Sequence, residues 1–561
     1  MPAATRASLA VPVAALAFML NRVAPRVAPD VAGDVAQAAW ILAVTVALAA
    51  VGLARLRGRP ALGLESPLMV GAWLYAAAAA LGAAVALVRG NDPKFAAGQL
   101  LSMGLLPLAA LGARWNGGAD AFRRLAAVVC AYSAAMCTAA FASGFAEIAR
   151  GLDPHRFTLP NRSAPTGSAI AAALLAVALA AASSGWRRRL ALTAAAVTSA
   201  YIVVSSVRSL WIAAACALAC FAPLAWGRSR VVRGPVIAAS AGLATLVAAA
   251  FAGWFVWWGH ARPDLMGWAA SGAEVTPVAT TRAPLPEGTY RVRGTVAFDG
   301  PGRATLEIRR PGSDPPAAPF ENLVVASTRA GAAEFSKVII TAAPAAPIEV
   351  GLADPGGGRS GLAGVTVERL GPACIGGLVL WVRNAVARPS DPDAGPGAGP
   401  FAGDASIAFR VKESRAALGG FARAGWPGRI LGHGLGARLE LSADGYDRDG
   451  NVIRFDRPNY IHNFYLFLLF KLGIVGTVTV LAALLLWIVT PAAAAVRLPA
   501  GDPRRVALAA CAAIWVGYSV WAVAGPEILD FRLAALWGLL PAATPLSRPE
   551  GGEPAPAGGK P

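Results

Sequence analysis

The sequence is poor in charge, in histidine and in paired cysteine. Charged residues make up 15% of its 561 residues, whereas hydrophobic residues make up 56%. This composition excludes an ordinary water-soluble globular protein and predicts many membrane spans. The six cysteines form no C-x-x-C pair, so neither a disulfide framework nor a zinc site is predicted. The formal net charge is +18, but the arginines are scattered, which favours membrane lipids as partners over nucleic acid.

Apolar runs predict about twelve transmembrane helices, nine within residues 1–257 and three within 462–546. The runs lie near residues 7–21, 35–54, 67–88, 95–113, 121–143, 167–185, 190–206, 209–226, 235–257, 463–490, 506–524 and 532–546. They are rich in alanine and glycine, which lets helix backbones pack closely in lipid. The tail, 547–561, is rich in Pro, Gly and Ala and is predicted to be a disordered cytoplasmic segment.

Arginine clusters occupy alternate loops between these runs, as the positive-inside rule requires of cytoplasmic loops. Both termini are therefore predicted to be cytoplasmic. The large region 258–461 then faces the opposite, outer side. All four histidines, His155, His260, His433 and His462, fall on that side.

Residues 284–371 change character and approach period-2 alternation. Six segments with strand-like alternation are separated by Gly, Pro and Asp turns, which predicts a small antiparallel β-sandwich. Its layout is similar to that of carbohydrate-binding jelly-roll modules. Sugar binding and a spacer role both remain open for this insert.

Residues 405–436 are predicted to form a helix followed by a glycine-rich loop. Ser406–Ala424 reads as a helix with Phe409, Leu418 and Phe421 as apolar anchors. In the loop, Gly432, Gly434 and Gly436 alternate with His433 and Leu435. Such a loop can leave backbone N–H groups free to approach an anion, although a simple turn fits the same pattern.

Four polar positions on the outer side could carry chemistry. His462 and Asn463 lie at the mouth of a membrane helix, where a histidine can exchange a proton near neutral pH or only hydrogen-bond water. Arg208 is a lone arginine on the side that the topology rule leaves uncharged, so either a functional role or snorkelling to headgroups must explain it. Arg410 opens a helical segment, and Asn161–Arg162 precede a span that Asn161 could cap.

Taken together, these residues resemble the O-antigen ligase/polymerase superfamily of bacterial inner-membrane glycosyltransferases. The resemblance rests on Ser206–Trp211, on Arg410–Leu418 followed by Gly432-x-Gly434-x-Gly436, and on His462-Asn463-x-x-Leu466 followed by Leu472–Gly476. Asn161 fits more loosely, and the matches cover roughly residues 155–225 and 405–490. Lys471 stands where family members usually carry an acidic residue, and Val207 where a small residue is usual. The first difference leaves His462 without an assigned carboxylate partner.

The resemblance implies a GT-C-like polytopic α-helical fold and a glycan donor on undecaprenyl diphosphate. The acceptor would be a glycan or a lipid A core. A diphosphate leaving group suits fixed arginines, and an attacking hydroxyl suits a histidine base. His462 is therefore the expected base, and Arg208 and Arg410 are expected to bind the diphosphate, with neither metal nor cofactor and with inversion of the anomeric centre. Asn161, Arg162, Asn463, Gly432, Gly434 and Gly436 are the expected further substrate-binding residues.

Several functions are compatible with these expected residue roles and with a lipid-linked glycan donor. Ligation to lipid A core, polymerisation of repeat units and transfer to a protein hydroxyl share the same chemistry. From other classes, a polysaccharide transporter or flippase and a non-catalytic sugar receptor remain alternatives. Transporters more often contain internal repeats, and no repeat is evident here.

Overall fold

A computed structural model describes most of the chain in separate stretches. The described residues are 9–20, 31–55, 64–116, 121–149, 166–205, 207–225, 264–267, 278–280, 285, 288–298, 302–309, 321–327, 331–341, 349–353, 360–371, 405–446, 452–456, 458, 461–500, 502–525 and 531–544. The chain divides into a helical unit (1–140, 159–244 and 404–561) and a second unit (141–158 and 245–403).

Helices dominate the described residues. The helices before the second unit are α1 (Ala10–Leu20), α2 (Val31–Arg55), α3 (Pro67–Val88), α4 (Pro93–Asn116), α5 (Ala121–Ala149), α6 (Thr166–Ala181), α7 (Gly185–Val204) and α8 (Arg208–Ala225). A helix is found at every predicted apolar run except 235–257, which lies outside the described residues, as does the tail 547–561.

Among the described helices, four are long and apolar enough to cross a bilayer: Pro67–Val88, Pro93–Trp115, Ala121–Ala146 and Phe464–Arg497. Shorter apolar helices accompany them, among them Thr166–Ala181 and Ser209–Ala225. The described part of the chain is thus consistent with a helical membrane protein. The number of twelve spans stays a prediction.

Small residues bring the helices close together, as the alanine and glycine content predicts. Gly538 packs directly on the backbone carbonyl of Leu106, where a β-carbon would overlap it. Gly517 lies near Ala213 in the same way, since a β-carbon there would be 3.3 Å from the Ala213 carbonyl oxygen. Close backbone approach replaces the hydrophobic effect as the source of packing energy inside lipid.

The second unit contains two four-stranded antiparallel sheets. Its strands are β1 (Asp264–Gly267), β2 (Val278–Thr280), β3 (Gly288–Phe298), β4 (Gly302–Arg309), β5 (Glu321–Ser327), β6 (Gly331–Thr341), β7 (Glu349–Ala353) and β8 (Ser360–Gly371). The strand orders are β1-β8-β3-β6 and β2-β7-β4-β5. The six strands predicted from alternation are found as β3 to β8. In β3 the alternation matches burial, since alternate apolar side chains of that strand lie in the core.

The core of this unit is formed by alternate residues of the strands. Tyr290, Val292 and Val296 of β3 are buried with Phe335 of β6 and Val350 of β7. The described aromatic side chains of β3 and β6 therefore point into the core, so they do not offer an exposed stacking face for a sugar ring. Packing as a jelly-roll-like sandwich stays a prediction.

The helical unit resumes with the elements that frame the site. They are α9 (Ala405–Arg423), α10 (Trp426–Leu431), the antiparallel strands β9 (Ser442–Tyr446) and β10 (Val452–Asp456), α11 (Phe464–Arg497), α12 (Pro503–Trp521) and α13 (Phe531–Ala543). α11 packs against α3, α12, α9 and α10. Gly473 interrupts this helix, and the 24 residues that follow it, 474–497, extend about 36 Å, enough to cross a hydrocarbon layer of about 30 Å.

Candidate functional site

His462 lies immediately before α11, and Asn463 begins that helix as its N-cap. The Asn463 side-chain oxygen accepts a hydrogen bond from the backbone N–H of Leu466 at 3.1 Å, which satisfies a donor that the first turn would leave unpaired. The structure thus gives Asn463, a predicted substrate-binding residue, a capping role. The cap fixes the direction in which the chain carrying His462 enters the helix.

Glu413 of α9 holds His462 through both its backbone and its ring. The backbone N–H of His462 donates to Oε2 of Glu413 at 2.9 Å, and Nδ1 of the imidazole lies 3.2 Å from both carboxylate oxygens. The Glu413 side chain is 2% exposed, whereas that of His462 is 36% exposed. A buried carboxylate therefore orients a histidine whose ring still reaches the surface.

The face that α9 turns toward α11 contains Glu413, Ala417 and Gly420. Glu413 and Ala417 are buried, and a β-carbon on Gly420 would lie 2.8 Å from the Phe470 ring. These positions follow the i, i+4, i+7 spacing of one helix face. The predicted anchoring role of Leu418 is wrong, because that side chain is 47% exposed.

Arg410, a predicted catalytic residue, lies on the same side of α9 as Glu413. It precedes Glu413 by three residues, so the two side chains occupy neighbouring positions one turn apart. The Arg410 side chain is partly exposed. α9 therefore brings a cation into the neighbourhood of His462, although 52 residues of sequence separate them.

The glycine-rich loop after α10 has the backbone conformation that its sequence predicts. Gly432, Gly434 and Gly436 have φ angles of 79°, 83° and 75°, in the left-handed region that favours glycine. Its N–H groups, however, are not free to bind an anion. Gly434 donates to the Lys471 carbonyl at 2.8 Å, and Gly436 donates to Oε1 of Gln99 at 2.7 Å.

The remaining donors of this loop are also used within the protein. Gly432 donates to the Gly428 carbonyl at 2.8 Å, His433 to the Phe470 carbonyl at 2.9 Å and Leu435 to the Gly82 carbonyl at 3.0 Å. The backbone N–H groups of Gly432, Gly434 and Gly436 thus already have acceptors within the protein, and a substrate-binding role for these glycines stays a prediction. Irregular backbone beside membrane helices has to satisfy its polar groups within the protein, and this loop does so.

The glycine-rich loop packs against a break in α11. Gly473 has a φ of 64° and interrupts the helix, and its backbone lies directly against that of Gly432. Neither position has room for a β-carbon. The two glycine motifs that the sequence shows far apart, Gly432–Gly436 and Leu472–Gly476, are thus two halves of one packing contact.

The turn between α3 and α4 also binds the glycine-rich loop through side-chain contacts. The Asn91 side-chain amide donates to the carbonyls of His433 and Leu435 at 2.8 and 2.9 Å. Arg438 forms a salt bridge with Asp92 at 3.0 Å. Desolvation raises the pKa of Asp92, but hydrogen bonds from Arg438 and from nearby backbone N–H groups outweigh it and leave that pKa below its ordinary value.

His433 and Lys471 lie inside this contact and serve packing. The His433 ring stacks on Phe470 at 4.5 Å between centroids. Burial lowers the pKa of His433 below its ordinary value, and the charges of Arg89 and Lys471 act in the same direction. Lys471 is fully buried, donates to the Ala437 carbonyl and lies 5.6 Å from the Phe470 ring centroid. It takes no part in holding His462.

Three predicted site residues cannot be placed at this site. Asn161 and Arg162 lie outside the described residues. Arg208 is the first residue of α8, and its side chain is likewise outside the described part. Their expected roles stay predictions.

Glu413 is the residue that the sequence analysis missed. The substitution at Lys471 pointed away from a carboxylate partner, yet α9 supplies one from a different element. The spacing of Glu413, Ala417 and Gly420 places one acid and two small residues on one helix face, and this pattern could have indicated that the acid is packed against another helix. Among the described residues, no group of three or more His, Cys, Asp or Glu side chains could hold a metal ion.

Replacing Gly434 by alanine is expected to destabilise the protein by about 2–5 kcal/mol, from left-handed strain plus overpacking. A β-carbon there would lie 2.6 Å from the backbone nitrogen of Ala86. Thermal unfolding of the purified protein in detergent measures the effect.

Gly90→Ala is the matched control for Gly434→Ala. Gly90 has a φ of 64°, but a β-carbon there would meet nothing within 4 Å. Only the conformational cost of about 1–2 kcal/mol is expected for it. Equal loss of stability in the two variants would contradict the close packing of the loop.

No protein-family model, curated protein or solved structure matches the chain.

Proposed function

We propose that the protein is a glycosyltransferase that moves a glycan from an undecaprenyl-diphosphate carrier to an acceptor hydroxyl, as an O-antigen ligase does. The observation that carries this proposal is the contact between His462 and the buried Glu413 carboxylate, at the partly exposed start of a membrane helix. A histidine held in this way is suited to accept a proton from a reacting hydroxyl.

In the proposed reaction, Nδ1–H of His462 donates to Glu413, which leaves Nε2 as the basic ring atom. Nε2 takes the proton of the acceptor hydroxyl while its oxygen attacks the anomeric carbon. The bond between that carbon and the diphosphate oxygen breaks, and the diphosphate leaves with the electron pair. Attack opposite the leaving group inverts the anomeric centre. Glu413 stabilises the imidazolium that forms.

The diphosphate leaving group gains negative charge as its bond to the sugar breaks. We assign Arg410 to this charge because it lies one turn from Glu413 on α9. A guanidinium can contact two phosphate oxygens at once and remains charged throughout the reaction. Arg208 is proposed as a second contact on the basis of the family resemblance alone.

The proposal includes the setting of the enzyme. The chain would cross a bacterial inner membrane about twelve times, with both termini cytoplasmic and the His462 end of the helices facing the periplasm. The loop between α3 and α4 and the segment 432–438 contact each other, which fits their predicted location on one side. The two sheets of the second unit would form a periplasmic jelly-roll-like sandwich.

A reconstituted reaction tests this function. Purified protein in lipid nanodiscs is mixed with a glycan on undecaprenyl diphosphate and, separately, with lipid A core, with the repeat-unit glycan or with an acceptor protein. Product mass and released undecaprenyl diphosphate are recorded. Transfer to one acceptor supports the proposal and identifies the acceptor. Movement of the lipid-linked glycan across a vesicle membrane without any transfer product would instead favour a flippase.

Metal removal gives a separate prediction. Transfer is expected to continue at an unchanged rate after exhaustive treatment with a chelator, because arginine side chains supply the positive charge at the diphosphate. A Mg²⁺-dependent enzyme treated in parallel verifies that chelation is complete. A rate that falls with chelation and returns on addition of Mg²⁺ would contradict the arginine mechanism.

A further inference from the structure

An apolar patch lies where α10 meets the last turn of α3. Its four side chains, called here the α10 patch, are well exposed: 83% of Leu87, 88% of Val88, 72% of Trp426 and 39% of Ile430. α10 lies close to the C-terminal end of α3, since a β-carbon on Gly428 would be 3.2 Å from Nη2 of Arg89, the C-cap residue of α3. A cluster of large apolar side chains this exposed marks a surface that contacts another protein or a membrane.

The α10 patch continues a surface that faces the bilayer. The backbone of Ile430 lies against Gly473 of α11, one of the helices long and apolar enough to span a membrane. The residues that follow on α11 are exposed as well, with values of 45% for Ile474, 44% for Val475 and 59% for Val478. The patch and this face of α11 therefore form one apolar surface.

Two exposed arginines, Arg89 and Arg429, adjoin the patch in sequence, and among the described residues no carboxylate forms a salt bridge with either of them. Within the described chain, Arg89 is 3.5 Å from Nδ1 of His433, and Arg429 donates to a backbone carbonyl of α9. Arg423, by contrast, is paired with Glu440 at 3.1 Å. Apolar side chains next to unpaired guanidinium groups are complementary to acyl chains below phosphate headgroups.

We infer that α10 and the C-terminal end of α3 form a phospholipid-binding surface in the adjacent leaflet. Trp426 and Ile430 would lie among acyl chains near the headgroups, and Arg89 and Arg429 would bind headgroup phosphates. This refines the sequence-based prediction, which placed 405–436 within the large outer region 258–461 and assigned it no contact with lipid. The inference does not depend on glycan transfer.

Site-specific fluorescent labels test the location of the patch. The full-length protein, with its six cysteines replaced by alanine, carries Trp426→Cys or Ile430→Cys with an environment-sensitive fluorophore. It is reconstituted in vesicles of phosphatidylethanolamine and phosphatidylglycerol. Val478→Cys, in the apolar face of α11, is the lipid-exposed control. Glu440→Cys is the aqueous control, because the native side chain there is charged as well as 82% exposed.

Labels at positions 426 and 430 are expected to be quenched by nitroxides on lipid acyl chains, as at 478, and shielded from iodide. Quenching by iodide as at 440 would overturn the inference. Shielding from both quenchers would also overturn it, since a protein, such as a second copy of this chain, would then cover the patch.

The arginines are tested by lipid retention. In native mass spectrometry of protein extracted from these vesicles, Arg89→Gln and Arg429→Gln are each expected to lower the affinity for phosphatidylglycerol about fivefold. Arg423→Gln is the control, because Arg423 is already paired with Glu440. Unchanged retention in both variants would show that the headgroup contacts do not exist, and equal loss in all three would show only a net-charge effect. Either result overturns that part of the inference.

Discussion

His462→Ala is expected to lower the rate of glycan transfer by about 10²–10⁴-fold, the usual contribution of a positioned general base. The variant keeps the Glu413 side chain but removes the ring that takes the hydroxyl proton. Donor binding depends on other groups, so the loss should appear in kcat and leave KM for the lipid-linked donor nearly unchanged. Steady-state kinetics of the purified variant in nanodiscs measures both.

Two further measurements separate a chemical loss from a folding defect. Added imidazole should restore part of the activity of His462→Ala, because a small base can enter the space that the ring leaves. Lys412→Gln, an exposed change on the outer face of α9, should retain the full rate. Full transfer by a folded His462→Ala protein would remove the base assignment.

Glu413→Gln is expected to reduce kcat by about 10²-fold, since the imidazolium formed during proton transfer loses its buried counter-charge. The glutamine has nearly the same shape, and its oxygen can still accept the backbone N–H of His462. Stability should therefore change little. Glu413→Ala, in contrast, leaves that N–H without its acceptor and should also cost about 1–3 kcal/mol of folding free energy.

The matched control for Glu413→Gln is Glu440→Gln. It makes the same chemical change at a side chain that is 82% exposed and paired with the exposed Arg423. A surface pair of this kind contributes little, so both rate and stability should stay near those of the unchanged protein. Equal rates for the two variants would mean that His462 does not work through Glu413.

The parts of the fold that sequence patterns predict well are those decided by local periodicity. Long apolar runs predict the helices, and alternation predicts β3, β4, β5 and β7 to within two residues at each end. The first four residues of β6 and the first five of β8 were missed. In both cases each residue's environment repeats along its own segment, so neighbours in sequence carry the information.

The site was less predictable because its contacts are distant in sequence. An acid in a polar helix is usually solvated. The role of Glu413 is visible only from its contact with His462, 49 residues further along the chain. The glycine-rich loop shows the same limit. Its left-handed backbone follows from the glycines themselves, but the acceptors of its N–H groups come from other elements, including Phe470 and Gly82.

The hydrogen bonds from Asn91 to the glycine-rich loop also have a consequence for biogenesis. The two carbonyls that accept its amide protons lie 342 and 344 residues downstream, beyond the whole second unit. At translation speeds of about 5–20 residues per second, the ribosome needs roughly 20–70 s to make that length of chain. Until about three quarters of the 561-residue polypeptide has been synthesised, the Asn91 amide in the α3–α4 hairpin must therefore form its hydrogen bonds with water or lipid headgroups.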